Sequence, residues 1–301
     1  MTVSVVVCTR NRPGDLGACL DSLARQSRPP DEIVIVDASD DERSAVCVRD
    51  RAPALAPVPV RHLHAAPGLP RQRNLGVRAS RGDVVTFLDD DVVLDAGYLA
   101  AIVALFEADP SLGGAEGVVD TPPLRGRRRL ANAFRRFFAM NTLGRPRGVK
   151  RSGFVAYDPW PGEVRRVGSL VGCNMSYRRA VFAEFRFDEW YQGYALGEDQ
   201  DFSYRVGRRF PLVQTPAARL EHRLSPVARE TLPALHEMTA VHHWYFVRKN
   251  LPPGLRTWAA FAWSELGELL SVAKTLDRAS VAARVRGYRR IVQGLARETV
   301  R

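Results

Sequence analysis

Residues 71–94 read "RQRNLGVRASRGDVVTFLDDDVVL". The first ten have helical character, "DVVTFL" (83–88) has the composition of a buried strand, and Asp89, Asp90 and Asp91 close it. A helix leading into such a strand is the unit of a parallel sheet, and open α/β folds bind ligands where their strands end. Three adjacent carboxylates repel one another unless a cation offsets them. Hard oxygen ligands suit Mg²⁺ or Mn²⁺, and Mg²⁺ usually takes only one or two protein carboxylates together with substrate phosphates. The cluster therefore points to a metal–diphosphate site. The competing reading is a helix N-terminus, with Asp91 or Asp95 as its cap.

Outward from this stretch, strands and helices alternate. "VSVVVC" (3–8), "EIVIVD" (32–37) and "VPVRHL" (58–63) read as strands. "DLGACLDSLARQ" (15–26), "DERSAVCVRD" (41–50) and "AGYLAAIVALFEA" (96–108) read as helices. Single helices between strands imply right-handed crossovers and a mostly parallel sheet covered on both faces. After "GGAEGVVDT" (113–121) the alternation stops. Residues 122–166 hold the basic run "RGRRRLANAFRRFF" (125–138), then glycine, proline and aromatics. The pattern resumes with "GSLVGCNMSY" (168–177), a helix near 179–184 and another from "GEDQDFSYRVGRR" (197–209). From about residue 226 the chain reads as helical, so the expected division is an α/β catalytic domain over 1–225 and a helical extension over 226–301.

The polar clusters "TRNRP", "DASDD" and "LDDD" follow the first, second and fourth strands, so distant loops are expected to share one crevice. Neither GxGxxG nor GxxxxGK[ST] is present, which excludes a dinucleotide fingerprint and a P-loop.

The composition of the 301 residues, 46% apolar and 26% charged, is that of a globular protein. Four cysteines without CxxC spacing argue against a zinc ribbon or a disulfide framework and fit a reducing compartment. "MTVSVVVCTRNR" does not read as a signal peptide, and "TWAAFAWSELGELLSVA" (257–273) is too short and too acidic to span a membrane, so a cytoplasmic protein is expected. The net charge of +11 calls for an anionic partner: nucleic acid, a membrane surface or a phosphate-bearing substrate. A non-catalytic nucleic-acid binder has no reason to keep acidic clusters at strand ends, and those clusters decide against it.

The motifs "VSVVVCTRNRP", "EIVIVDASD", "RNLGVRASRGDVVTFLDDD", "GCNMSYRRAVF", "FDEWYQGYALGEDQDFSYRV" and "EHR" occur in that order over roughly residues 3 to 223. Together they resemble the family 2 glycosyltransferases of GT-A fold, inverting enzymes that use nucleotide-diphosphate sugars. The resemblance implies a nucleotide pocket lined by Thr9 and the loop after it, with Asp37 on the base or ribose and Asn74, Arg71 and Arg73 near the phosphates. Asp89 and Asp91 correspond to the DxD pair: Asp91 as metal ligand, Asp89 on the donor ribose or sugar or on the metal, and Asp90 sharing either task. His222 matches a histidine that ligates the metal in some relatives. Asp199 corresponds to the catalytic base, with Glu198 and Trp190 on the acceptor. Asp201 lies about 200° around a helix from Asp199, so both cannot address one atom. Helix-dipole complementation is the other role open to these acids.

The expected partners are thus a nucleotide-diphosphate sugar, UDP-linked in preference, a divalent cation and an alcohol acceptor. A pyrophosphorylase-like nucleotidyltransferase would need similar carboxylates, but "VVVCTRNRPGDL" lacks its glycine-rich loop. The acceptor is open: a lipid-linked sugar, a polysaccharide or a natural product. The stretch 125–138 interleaves arginines with Leu130, Ala133, Phe134, Phe137 and Phe138 at helical spacing. It reads as a helix packed on its own domain, as a clamp on the acceptor, or as a contact with an anionic membrane; "HHWYFVRKN" (242–250) and the segment 257–273 likewise read as packed on the catalytic domain, as a dimer contact, or as lying on a bilayer.

Overall fold

The computed structural model describes residues 1–144, 148–225, 227 and 230–294. The first half follows the alternation: β1 (Val3–Thr9), α1 (Pro13–Ala24), β2 (Glu32–Asp37), α2 (Arg43–Leu55), β3 (Val60–His64), α3 (Leu69–Ala79) and β4 (Val84–Asp89). β5 (Val92–Leu94), α4 (Tyr98–Ala108) and β6 (Gly114–Val119) come next. The inserted stretch holds α5 (Gly126–Phe137) and the short strands β7 (Thr142–Leu143), β8 (Gly148–Val149), β9 (Val155–Tyr157) and β10 (Arg165–Arg166). β11 (Asn174–Arg178), a 3₁₀ turn (Arg179–Ala183), α6 (Glu198–Gly207) and β12 (Leu212–His222) complete the α/β part. α7 (Leu232–Asn250), α8 (Leu255–Ala273) and α9 (Arg278–Val292) follow.

The main sheet runs β10-β12-β6-β11-β4-β1-β2-β3, with β5 paired to β12. β1 lies parallel to both β2 and β4, β2 is parallel to β3, and β6 is parallel to β12. β11 is reversed between β4 and β6. The strand period sorts side chains onto two faces. Val3, Val5 and Val7 join Leu16, Leu20, Ile102 and Phe106 on one side, while Val6, Val34, Val85 and Phe87 join Tyr177, Phe187 and Phe202 on the other. Burial of each such side chain contributes about 1.5–3 kcal/mol.

Besides the short strands β7 to β10 of the inserted stretch, β5 and β12 lie outside the expected pattern. β5 is only three residues long and hides inside the acidic stretch. β12 carries Pro216 and an irregular register between Gln214 and Arg219, so its sequence does not alternate cleanly. The helix expected near 179–184 is a 3₁₀ turn, whose first N–H is taken by Asp83 O at 2.8 Å. The three last helices dock on the α/β body. Asp201 on α6 is fully buried and accepts from Lys249 Nζ (2.9 Å) and Asn250 Nδ2 (2.8 Å) of α7. Trp190 stacks on Tyr245 at 3.6 Å. No helix among the described residues is long and apolar enough to cross a membrane.

A buried polar knot ties α7, α8 and α9 together. Glu265 accepts from Arg284 Nη2 (2.6 Å) and Tyr288 Oη (2.7 Å), and its Oε1 lies 2.6 Å from His243 Nδ1. Burial pushes the Glu265 carboxyl up, but His243 and Arg284 outweigh it and hold it down to about 2. A carboxylate depressed in the fold contributes stability above its unfolded value of 4.5, and that contribution is lost as pH falls toward 2. Glu265→Gln leaves the Arg284 charge buried without its carboxylate and should cost about 3–5 kcal/mol at pH 7. In urea melts the gap between wild type and Glu265→Gln should narrow steadily below pH 4.5; a pH-independent gap would show that the charge of Glu265 is immaterial.

Candidate active site

Parallel pairing brings the strand ends together, with Thr9 opposite Asp37 and Cys8 opposite Asp89. Past Asp89 the chain turns and pairs back as β5 with β12, setting Val92 opposite His222. That pairing is what brings His222 to Asp91. Its Nε2 lies 3.0 Å from Asp91 Oδ1, while Ser225 N–H donates to Asp91 Oδ2 at 2.8 Å and Arg223 N–H to the Asp91 carbonyl at 2.9 Å. Burial raises the Asp91 carboxyl, but His222, the Ser225 N–H and Arg12 together hold it below the usual carboxylate range. Asp90 points to other partners, the Thr9 hydroxyl (2.7 Å) and Arg12 Nη1 (3.2 Å), and burial pushes its carboxyl up to about 7 against both.

Asp89, Asp91 and His222 offer ligand atoms that all lie within 4.8 Å of one another. Two carboxylates and one imidazole are a donor set suited to Mn²⁺ and compatible with Mg²⁺. These three residues fit a divalent cation.

Across the cleft stands the start of α6. Gly197, left-handed at φ 87, caps it and leads into Glu198 and Asp199. Arg73, buried on α3, joins the two acidic groups: it donates to Asp89 Oδ1 (3.2 Å) and to Gly172 O (3.0 Å), and it ion-pairs with Glu198. Gly172 N–H donates to Asp199 Oδ2 at 2.8 Å. A Cβ at Gly172 would sit 3.0 Å from that same oxygen, so only glycine lets the carboxylate reach the backbone freely.

Asp199 stands between two openings. One, of about 550 Å³, is lined by Thr9, Arg10, Arg12, Arg71, Asp89 and Glu198 among others. The other, of about 630 Å³, is more apolar; Leu143, Phe154, Tyr157 and Phe246 line it together with Arg135 and His222. Asp199 lines both.

The predicted residues fall into two groups. Thr9, Arg71, Arg73, Asp89, Asp90, Glu198 and Asp199 meet in the first cleft, with Asp91 and His222 beside it. Asp37, Asn74 and Trp190 do not line either opening. Both Asp37 oxygens are engaged, with Ser39 N–H at 2.8 Å and His62 Nε2 at 3.0 Å. Asn74 clasps the loop before α6, donating to Phe187 O and Glu189 and accepting from Phe187 N–H, each at 3.0 Å. Glu198, expected on the acceptor, is buried against Arg73 on the wall of the first cleft. Cys8 also lines the first cleft, and burial pushes its thiol up to about 12.

Sequence reasoning missed the loop Tyr191–Gly197 as a wall of the first cleft, and Arg12 as the counter-charge of Asp90. Left-handed backbone at Gly193, Ala195 and Gly197 was the available signal, through two glycines in "YQGYALGE". The second opening had no signal, because its walls come from residues as far apart as Val119 and Phe246.

A mostly parallel sheet with carboxylates at its strand ends and a second acid across the cleft is the arrangement of GT-A glycosyltransferases, and the structural neighbours agree. The crystal structure of GalNAc-T7 with UDP, GalNAc and Mn²⁺ superposes with a TM-score of 0.61 at 18% identity, over 89% of this chain and 54% of that one. The mannosyltransferase PcManGT from Pyrobaculum calidifontis, in complex with GDP-Man and Mn²⁺, gives 0.57 at 17% identity, over 98% of this chain and 81% of that one. The sequence profile of glycosyl transferase family 2 matches residues 4–185, and the chain belongs to that family: it is a glycosyltransferase. It is 27% identical over 226 residues to the uncharacterized glycosyltransferase YwdF of Bacillus subtilis, 75% of each chain. A PGL/p-HBAD biosynthesis glycosyltransferase of Mycobacterium bovis is 33% identical over 110 residues, 36% of this chain and 43% of that one.

The donor set makes a direct prediction. Mn²⁺ titrated in the presence of UDP and followed by electron paramagnetic resonance should bind the wild type, and Asp91→Ala and His222→Ala should each weaken it by about 10–100-fold. Unchanged Mn²⁺ affinity in both variants would show that the cation binds elsewhere.

Proposed function

We propose that the protein transfers a sugar from a nucleotide-diphosphate donor, UDP-linked in preference, to an alcohol acceptor in one displacement that inverts the anomeric centre, with Asp199 as the base. The observation that carries this reading is that Asp199 lines both openings. A carboxylate at that junction faces the donor on one side and the acceptor hydroxyl on the other.

The first cleft is the donor site. Arg10, Arg12 and Arg71 on its wall supply positive charge for a diphosphate. Asp89, Asp91 and His222 would hold the divalent cation, Mn²⁺ or Mg²⁺. The bound cation supplies charge that stabilises the departing nucleotide diphosphate. Arg73 keeps Asp89 and Glu198 at fixed positions and offsets their repulsion. Glu198 is thereby a positioning residue rather than an acceptor contact.

The Gly172 N–H fixes the orientation of Asp199 through Oδ2. Asp199 accepts the hydroxyl proton of the acceptor as the oxygen forms its bond to the anomeric carbon and the bond to the nucleotide diphosphate breaks. The pair of electrons leaves with the phosphate oxygen, and no covalent sugar–enzyme bond is needed. The second opening receives the acceptor. Its apolar wall, with Phe154, Tyr157 and Phe246, suits a hydroxyl carried on a partly apolar body, such as a lipid-linked sugar or a natural product, over a purely polar polysaccharide.

Asp199→Asn is nearly isosteric, retains an acceptor for the Gly172 N–H and removes the base. Calorimetry with UDP, GDP and dTDP in the presence of Mn²⁺ should show the same nucleotide preference as wild type. Transfer, or hydrolysis of the donor where water replaces the acceptor, should fall by about 10²–10⁴. Full turnover in this variant would remove Asp199 as the base, and a preference for GDP or dTDP would replace the UDP assignment.

A further inference from the structure

α8 is inside out. Its inward face is polar: Thr257, Ser264 and Glu265 are buried, and Glu268 turns toward Arg284 of α9. Its outward face is apolar, with Leu255, Trp258, Trp263, Leu266 and Leu270 exposed by 86%, 37%, 41%, 43% and 40%. At 100° per residue these five fall within an arc of about 140°, and no acidic residue of the helix lies in it. Arg256 and Lys274 sit at its two ends. A helix that hides its carboxylates and shows two tryptophans and three leucines leaves most of that face uncovered, with α5 meeting it at Trp263.

α5 extends the face. Trp263 Nε1 donates to Phe137 O at 2.8 Å, and the Phe137 and Trp263 rings lie 5.3 Å apart. α5 buries none of its residues, and Leu130 and Phe137 are 73% and 67% exposed. Beside them stand exposed Arg127, Arg129 and Arg136, for which no carboxylate partner is found among the described residues.

Two occupants suit such a face, and charge separates them. A second copy related by a two-fold axis would present the same arginine-bearing helix to itself, with no acidic residue on the apolar arc to answer it. An anionic bilayer answers both features: its phosphates pair with the arginines, and its interface accepts tryptophan and leucine. We propose that the face formed by α5 and α8 seats the protein on an anionic lipid bilayer, peripherally, with Trp258, Trp263, Leu266 and Leu270 at the headgroup–acyl boundary. The seat does not rest on the assignments of sugar donor, cation or base.

The test is flotation of the full chain with vesicles of phosphatidylcholine alone and of phosphatidylcholine containing phosphatidylglycerol. Tryptophan emission and solution mass are recorded in parallel. Wild type should be monomeric, bind only the anionic vesicles and shift its emission to the blue. Leu266→Glu with Leu270→Glu, and separately Arg127→Glu with Arg129→Glu and Arg136→Glu, should each lower partition by about tenfold or more. Both variants should keep the wild-type circular dichroism and UDP binding, so failure of the seat is distinguishable from failure of the active site. The proposal is overturned if wild type ignores both vesicle types or if neither variant reduces binding. It is also overturned if only the arginine variant does so, which is adsorption by charge alone. A wild-type dimer that Leu266→Glu with Leu270→Glu splits would assign the face to a second copy instead.

Discussion

The site depends on a buried guanidinium. Arg73 reaches from α3 to Asp89 at the end of β4 and to Glu198 at the start of α6, and its remaining reach is spent on Gly172 O. Remove it and two acidic elements of opposite walls face one another across a cleft with nothing between. Arg12 does the same for Asp90 and Asp91, at 3.2 and 3.9 Å. Asp89, Asp90, Asp91, Glu198 and Asp199 thus gather around Arg73 and Arg12, with Arg10 and Arg71 further along the cleft wall. Asp89, Asp91 and His222 fit a divalent cation by their donor chemistry, independently of any comparison with relatives.

How much of this was legible in the sequence depended on range. β1 to β4 were readable because buried parallel strands are continuous apolar runs, and the helices between them have their own period. β5 and β12 were not, since one is three residues long and the other is broken by Pro216 and a shifted register. Yet this unread pair is what carries His222 to Asp91. The histidine was named only because "EHR" fits a family pattern; local periodicity gave no reason for it.

The same limit governs the predicted side chains that line neither opening. Asn74 on α3, Asp37 at the end of β2 and Trp190 in the loop before α6 are polar or aromatic residues near the cleft, and composition alone cannot tell a ligand contact from a clasp. Each has a partner elsewhere in the chain: Phe187 for Asn74, His62 for Asp37 and Tyr245 for Trp190. Glu198 is subtler. It starts α6, and Arg73 on another helix holds it on the wall of the first cleft.

The inserted stretch 122–166 broke the alternation in the sequence, and its position explains why an insertion is tolerated there. β7, β9 and β8 form a small separate sheet, so they add a wall without disturbing the main one. That wall closes the second opening against α7, and α5 lies along its outside. Arg135 of α5 lines the opening, whereas Arg136 and Phe137, one and two residues further on, face outward beside Trp263. One helix thus borders both the apolar opening and the exposed apolar face. If that face meets a bilayer, an acceptor with an apolar body reaches Asp199 along α5 without its tail crossing bulk water, and the cost of exposing that tail, about 0.8 kcal/mol per CH₂, is avoided.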